Sequence, residues 1–237
     1  MELIWQGITQ AFWLLIQGDP EVLRITLLSL EVSGSAILLA LLLGVPFGAL
    51  LALTHFPGRG LVISLVNTGM GLPPVVVGLF VSILLWRGGP LGFLGLLYTP
   101  AAMILAQVII AFPIVAGLTL AALQSLNPKL RLQLLALGAS RLQLVWLLLK
   151  EARLPILAAV MAGFGGVISE VGAVLMVGGN IKGQTRVLTT ATVLETRMGN
   201  FEVAIALSII LFLLSFTVNF LLTQIQQREN LQWSRTS

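Results

Sequence analysis

Cysteine is absent from the chain, which excludes disulfides and thiolate metal sites. The single histidine, His55, leaves no histidine cluster to hold a metal. Charge is scarce: Asp, Glu, Lys and Arg make up 9% of the residues, where a soluble domain carries about 25%. No Gly-x-Ser-x-Gly, His-Glu-x-x-His or paired-carboxylate arrangement is present to support an enzyme. Gly178–Thr185, GGNIKGQT, nearly matches the phosphate-binding Gly-x4-Gly-Lys-[Ser/Thr] pattern, but Gln184 stands where the lysine is essential and no strand-then-helix context surrounds it. The sequence therefore names no catalytic, cofactor-binding or metal-binding residue, and any nucleotide hydrolysis belongs to another chain. No repeat of 20–50 residues is visible. The acidic start, MELIWQGITQ, lacks the features of a cleavable signal peptide.

What the chain has in quantity is apolar length. It is 57% hydrophobic over 237 residues, with a mean hydropathy of +1.03. This composition is that of an all-helical polytopic membrane protein, read in units of about 20 apolar residues. The net charge of +4 fits the excess of Lys and Arg on cytoplasmic loops rather than nucleic-acid binding.

Residues 3–17 are too short to span, and Trp5, Phe12 and Trp13 suit the headgroup zone, so residues 1–19 read as an interfacial helix ended by Gly18-Asp19-Pro20. Five spans follow, at about 22–53, 61–86, 101–124, 156–178 and 201–225. The first is longer than a bilayer needs, so a tilt, a kink at Pro46 or a protruding end is expected. Pro73-Pro74 must break or kink the second, which places irregular backbone at membrane depth. Pro113 lies inside the third. In the fourth, Gly163, Gly165 and Gly166 allow close helix contact. The stretches 87–100 and 179–200 read as loops, the latter polar, and 226–237 as a polar tail. The whole, 1–237, is one transmembrane domain. A six-span alternative has residues 1–18 crossing.

The segment 127–155, NPKLRLQLLALGASRLQLVWLLLKEARLP, is basic, helix-prone and too apolar for a solvated linker. Leu132, Leu135, Ala136 and Ala139 recur at helical spacing, as do Leu142, Val145, Trp146 and Leu149, and Gly138 between them permits a sharp turn. Two short helices outside the bilayer, offering an apolar surface to a protein partner, are expected. Placing this segment in the cytoplasm puts Arg59, Lys129, Arg131, Arg141, Lys150, Arg153, Arg228 and Arg235 inside. Arg24, Arg87, Lys182, Arg186 and Arg197 are then outside.

Glu170 is the sharpest intramembrane charge, and such residues face a bundle interior or water. A carboxylate would repel an anionic substrate, so a hydrogen bond to Asn67 or Ser169 that holds one gate state is the expected role, against a purely structural buried pair. Asn67, Thr68, Pro73 and Pro74 are candidates for a bent, polar path segment. Glu31, beside Ser33 and Ser35, reads as a residue near the outer interface. Lys182, Arg186 and Arg197 sit at the outer mouth, where they can attract an oxyanion or dock an acidic protein, or simply form a solvated basic loop.

Leu132–Pro155 resembles the cytoplasmic loop signature of binding-protein-dependent ABC importer permeases. Gly138-Ala139-Ser140 fits that signature, while Leu132-Gln133-Leu134 stands at its Glu-Ala-Ala position, Leu148 at its Ile and Lys150-Glu151 at its Leu-Pro. GLPPVVVGL (71–79), GPLGFLGLLYTPAAMILAQ (89–107), KEARL (150–154) and ISEVGAVLMVGGNIKGQTRVLTTA (168–191) resemble the tungstate branch of these permeases, related to the molybdate and sulfate permeases. The resemblance covers roughly residues 20–225. It implies the type I importer transmembrane fold in the cell inner membrane, working as a homodimer. It implies two separate ATPase subunits carrying ATP and magnesium, and an external binding protein that delivers the oxyanion. On that analogy Leu135, Gly138, Ala139, Ser140 and Leu142 make the coupling contact with the ATPase. Tungstate is the implied substrate, with molybdate or sulfate as alternatives. A secondary transporter independent of ATP predicts more ionisable groups in the spans or an inverted repeat, and neither is seen.

Overall fold

Three helices begin on the same signal, a capping side chain followed by proline. Asp19 Oδ1 accepts the N–H groups of Glu21 and Val22, both at 2.9 Å, Thr99 Oγ1 accepts that of Ala102 at 3.4 Å, and Asn127 Oδ1 accepts that of Lys129 at 2.9 Å. In each case the following proline fills the first helical position, where a missing N–H costs nothing. The computed structural model describes residues 2–233 and, among their side chains, all but those of residues 3, 4, 15 and 228–233. Its helices are α1 (Glu2–Gln17), α2 (Pro20–Leu53), α3 (Arg59–Met70), α4 (Pro74–Leu85), α5 (Pro100–Gln124), α6 (Pro128–Ala136), α7 (Arg141–Glu151), α8 (Arg153–Ile168), α9 (Gly172–Gly178), α10 (Leu188–Met198) and α11 (Phe201–Trp233).

By length and composition α2, α5 and α11 can each cross a bilayer. The α3–α4 pair, bent by 103°, and the α8–α9 pair, bent by 56°, can each make one further crossing, which gives five. The connections sort to two ends. At one end the Tyr98 N–H donates to the Val177 carbonyl at 2.8 Å, and the start of α2 meets the 179–187 loop through Glu21 and Lys182. At the other end Arg59 Nε donates to the Leu51 carbonyl at 2.7 Å, beside α6 and α7.

The centre is α2 against α5. A Cβ on Gly48 would lie 2.5 Å from the Ala116 carbonyl oxygen, and one on Gly44 would lie 2.9 Å from Val115 Cγ1. This small-xxx-small spacing brings the two backbones together where lipid supplies no hydrophobic drive. Gly163 plays the expected role, since its Cβ would meet Ile37 Cδ1 at 2.6 Å, whereas Gly165 has open space around it. One apolar cluster joins α2, α4, α5 and α9 through Val32, Val81, Met103 and Val174. Another joins α2, α5 and α7 at the opposite end through Ala49, Leu123, Leu144 and Leu148. Pro46 and Pro113 both lie inside continuous helices.

Three expectations are corrected. The fourth span is not one helix: it breaks at Ser169–Val171, where Glu170 competes for backbone donors. The stretch 179–200 is not merely a polar loop, because α10 buries Leu188, Thr189, Thr190 and Ala191; Thr189 and Thr190 look polar in sequence but are bonded inside. The last helix continues past 225 to Trp233, so 226–233 is helical. Residues 234–237 of the expected tail lie outside the described residues.

Candidate functional site

Two broken spans supply irregular backbone in the middle of the bundle. At the first break the Gly71 N–H donates to the Thr68 carbonyl at 3.1 Å and the Leu72 N–H to the Gly69 carbonyl at 3.3 Å, which closes α3. Pro73 and Pro74 have no N–H to leave bare, and the Val76 N–H donates to the Pro73 carbonyl at 2.9 Å. The break thus pairs the N–H groups of Gly71, Leu72 and Val76 within itself, which lowers the cost of irregular backbone away from water.

The second break is held by side chains from three helices. The Val167 carbonyl, in the last turn of α8, accepts from Gln107 Nε2 of α5 at 2.9 Å. Glu170 Oε1 accepts the Ala173 N–H of α9 at 2.9 Å. Thr189 Oγ1 of α10 donates to the Glu170 carbonyl at 3.0 Å. Ser29 Oγ of α2 accepts the Leu188 N–H at 2.9 Å and so fastens the start of α10 beside it. The two breaks are neighbours. A Cβ on Gly172 would stand 2.6 Å from Val75 Cγ2, and one on Gly78 would stand 2.7 Å from Ala173 Cα.

Glu170 is buried, at 9% exposure. The hydrogen bond expected from it to Asn67 or Ser169 is not formed. Its carboxylate instead caps α9, the Ser169 hydroxyl donates to the Gly165 carbonyl at 2.7 Å, and Asn67 is exposed. A carboxylate wins the α9 N–H because that donor has no helical acceptor. Thr68, Pro73 and Ser169 are exposed, as is Glu31, and Pro74 is half-buried. Gln107, Thr189 and Ser29 are the working residues that sequence reading missed; for Gln107 and Ser29 the available signal was a polar residue between apolar neighbours, whereas Thr189 stood unmarked in a polar stretch.

At the end where α2 starts, Lys182 Nζ lies 2.7 Å from Glu21 Oε2 and Arg186 Nη1 lies 3.4 Å from Glu21 Oε1. Arg24 lines the same pocket, of about 270 Å3, so three cations face one carboxylate. Arg197 stands apart from this group, exposed in the last turn of α10, where a cation complements the helix dipole.

The segment 127–155 folds as two short helices. Gly138, at φ +85°, makes the turn between them. Ser140 caps α7 in a reciprocal capping box with Gln143. Leu144 and Leu148 bury one face of α7 against α2 and α5. The opposite side is apolar yet bare: Leu142 is 81% exposed and Leu137, which the periodicity did not single out, is 84% exposed. Leu132, Leu135 and Trp146 are exposed too, Ser140 is exposed and Ala139 is half-buried. Among the described residues, no group of three or more His, Asp or Glu side chains can hold a metal.

Residues 44–230 match the family described as binding-protein-dependent transport system inner membrane component. The chain is 40% identical over 227 residues to the tungstate uptake system permease protein TupB of Peptoclostridium acidaminophilum, covering 96% of this chain and 100% of that one. It is 44% identical over 212 residues to a probable anion ABC transporter permease protein of Haloferax volcanii, covering 87% of this chain and 91% of that one. A chain of the inward-facing MetNI methionine ABC transporter superposes with a TM-score of 0.71 at 21% identity, over 92% of this chain and 96% of that one, so the two share a fold. On the length and identity of these matches, the chain belongs to the binding-protein-dependent transport system inner membrane component family.

Proposed function

We propose that this permease subunit carries tungstate across the membrane in a homodimer driven by two ATPase subunits and fed by an external binding protein. The observation that carries the substrate is the match at 40% identity across the whole of a tungstate permease. Molybdate and sulfate, also tetrahedral dianions, are the nearest alternatives.

The geometry supports a division of labour. The α6–α7 element presents Leu132, Leu135, Leu137 and Leu142 to the cytoplasm, with Gly138, Ala139 and Ser140 shaping the turn. Exposed leucines on a short, capped helix pair form the apolar face that a groove on an ATPase would cover. The buried seam of Leu144 and Leu148 ties that element to α2 and α5, so movement of the ATPase is passed to the spans as a rigid displacement.

The adjoining breaks near Pro73-Pro74 and Ser169-Glu170 form the gate. The sole buried charge there, Glu170, is occupied in capping α9 and would repel a dianion at close range. It acts by holding the bend, while the exposed Asn67, Thr68 and Ser169 supply weak polar contacts along the path. Weak contacts suit a path that must release its ion. Arg24, Lys182 and Arg186, with Arg197 nearby in sequence, raise the local concentration of anion or attract an acidic binding protein at the outer mouth.

The test is uptake into vesicles holding this chain and its ATPase, with binding protein outside and ATP inside. The expected result is uptake that needs both and in which tungstate outcompetes molybdate and sulfate. Dominance of another oxyanion would change the substrate, and uptake without ATP would overturn the coupling role of residues 127–155.

A further inference from the structure

The bend at Ser169–Val171 encloses polar groups whose hydrogen bonds do not balance. A small cavity of about 10 Å3 lies between α2, α5, the bend and the start of α10, lined among others by Ser33, Gln107, Glu170 and Thr189. Several of its polar groups are already used. Ser29 Oγ donates to the Ile25 carbonyl and accepts from Leu188. Thr189 Oγ1 donates to the Glu170 carbonyl. Gln107 Nε2 donates to the Val167 carbonyl, which fixes the orientation of its amide and leaves Oε1 as an acceptor.

That oxygen is buried with no partner, on a side chain belonging to a residue only 3% exposed. Glu170 also lines the cavity, and its carboxylate accepts a single N–H, from Ala173. The Ser33 hydroxyl, 3% exposed, bonds to none of the described residues. The residues that line the cavity thus bring two oxygen acceptors and one hydroxyl. A second donor is missing, and a bare buried acceptor is costly in a low-dielectric interior.

We propose that this cavity is a binding site for one water molecule, which bolts the bend to α2 and α5. The water donates one hydrogen to Gln107 Oε1 and the other to the Glu170 carboxylate, and it accepts the Ser33 hydroxyl. Three bonds are the usual complement of a buried water, and about 10–15 Å3 is the least space that admits one. The site adds a polar link between α2, α5 and the bend to those already made by Gln107, Ser29 and Thr189. Holding Glu170 on Ala173 keeps the break bent, so the water sets the stability of this gate conformation. That last consequence rests on the gate reading above; the water site itself does not.

The test uses the assembled complex of this chain with its ATPase. Ser33→Val fills the cavity with a methyl group and removes the hydroxyl. Displacing a bridging water strands two acceptors, so Tm is expected to fall by several degrees, whereas filling a dry cavity would raise it. Repeating Ser33→Val in a Gln107→Met background separates this from crowding. With the amide acceptor gone and only Glu170 left to strand, about half of the Tm loss from Ser33→Val should disappear, while a steric clash would persist at full size. A rise in Tm from Ser33→Val, or an equal loss in both backgrounds, would overturn the proposal. So would a Tm that depends on sodium in place of choline, because the occupant would then be a cation. A map at about 2 Å gives the direct view: a spherical density within hydrogen-bond reach of Gln107 Oε1 and Glu170 supports the water, and direct contact of the two side chains refutes it. These readouts do not require transport, so they stand even if uptake fails for another reason.

Discussion

Gly78→Ala is the sharpest perturbation of the gate that the structure offers. The new Cβ would lie 2.7 Å from Ala173 Cα and 3.2 Å from both Met176 Cβ and Sδ. Carbon atoms pack comfortably at about 3.5–4.0 Å, so α4 and α9 must separate by roughly 1 Å. Met176 can move aside; the Ala173 backbone cannot, and its N–H is the one held by Glu170. Overpacking of this kind costs about 1–3 kcal/mol, offset by about 1 kcal/mol from replacing glycine by alanine inside a helix. A net cost of up to about 2 kcal/mol against this gate state, if the other state relieves the contact, shifts the population by up to about 30-fold. Gly34→Ala is the control, since no atom lies within 4 Å of its Cβ position. The assay compares ATP hydrolysis with and without binding protein, alongside uptake, at equal expression. Gly78→Ala should change the ratio of basal to stimulated hydrolysis and lower uptake, and Ala173→Gly should not rescue it, because the obstacle is backbone. If Gly78→Ala matches Gly34→Ala in both readouts, the proposal that the two adjoining breaks form the gate is refuted.

Three further outcomes are expected. Leu137→Asp and Leu142→Asp should leave insertion and thermal stability nearly unchanged, because both side chains are exposed at the tip, yet abolish stimulation of the ATPase; co-purification with the ATPase checks this. Ser29→Ala leaves the Leu188 N–H without its acceptor, at a cost of about 1–3 kcal/mol, so amide exchange at the start of α10 should quicken by about tenfold or more. Glu170→Gln keeps an oxygen for the Ala173 N–H but places an amide where a carboxylate faces the cavity; the complex should assemble normally and transport poorly, and normal uptake at equal expression would remove Glu170 from the gate.

Some of this was readable from residue types alone. Pro73-Pro74 has no way to continue a helix, and the structure breaks there by 103°. Gly138 sits between two apolar-periodic runs, and it is the turn. The break after Ile168 carried no comparable mark. It depends on Glu170 finding Ala173, on Gln107 reaching Val167 across 60 residues of chain, and on Thr189 returning from α10. Likewise α7 has leucines all round, so periodicity could not tell the buried seam of Leu144 and Leu148 from the exposed Leu142. Lys182 and Arg186 looked alike beside Arg197, but only the first two meet Glu21.

Composition and hydropathy determined that the chain is a helical membrane protein with apolar segments enough for up to five crossings, because this follows from local solvation and backbone chemistry. The tertiary structure decided which breaks meet, which polar groups are satisfied across helices and which apolar face stays bare, because those depend on packing between residues far apart in the chain.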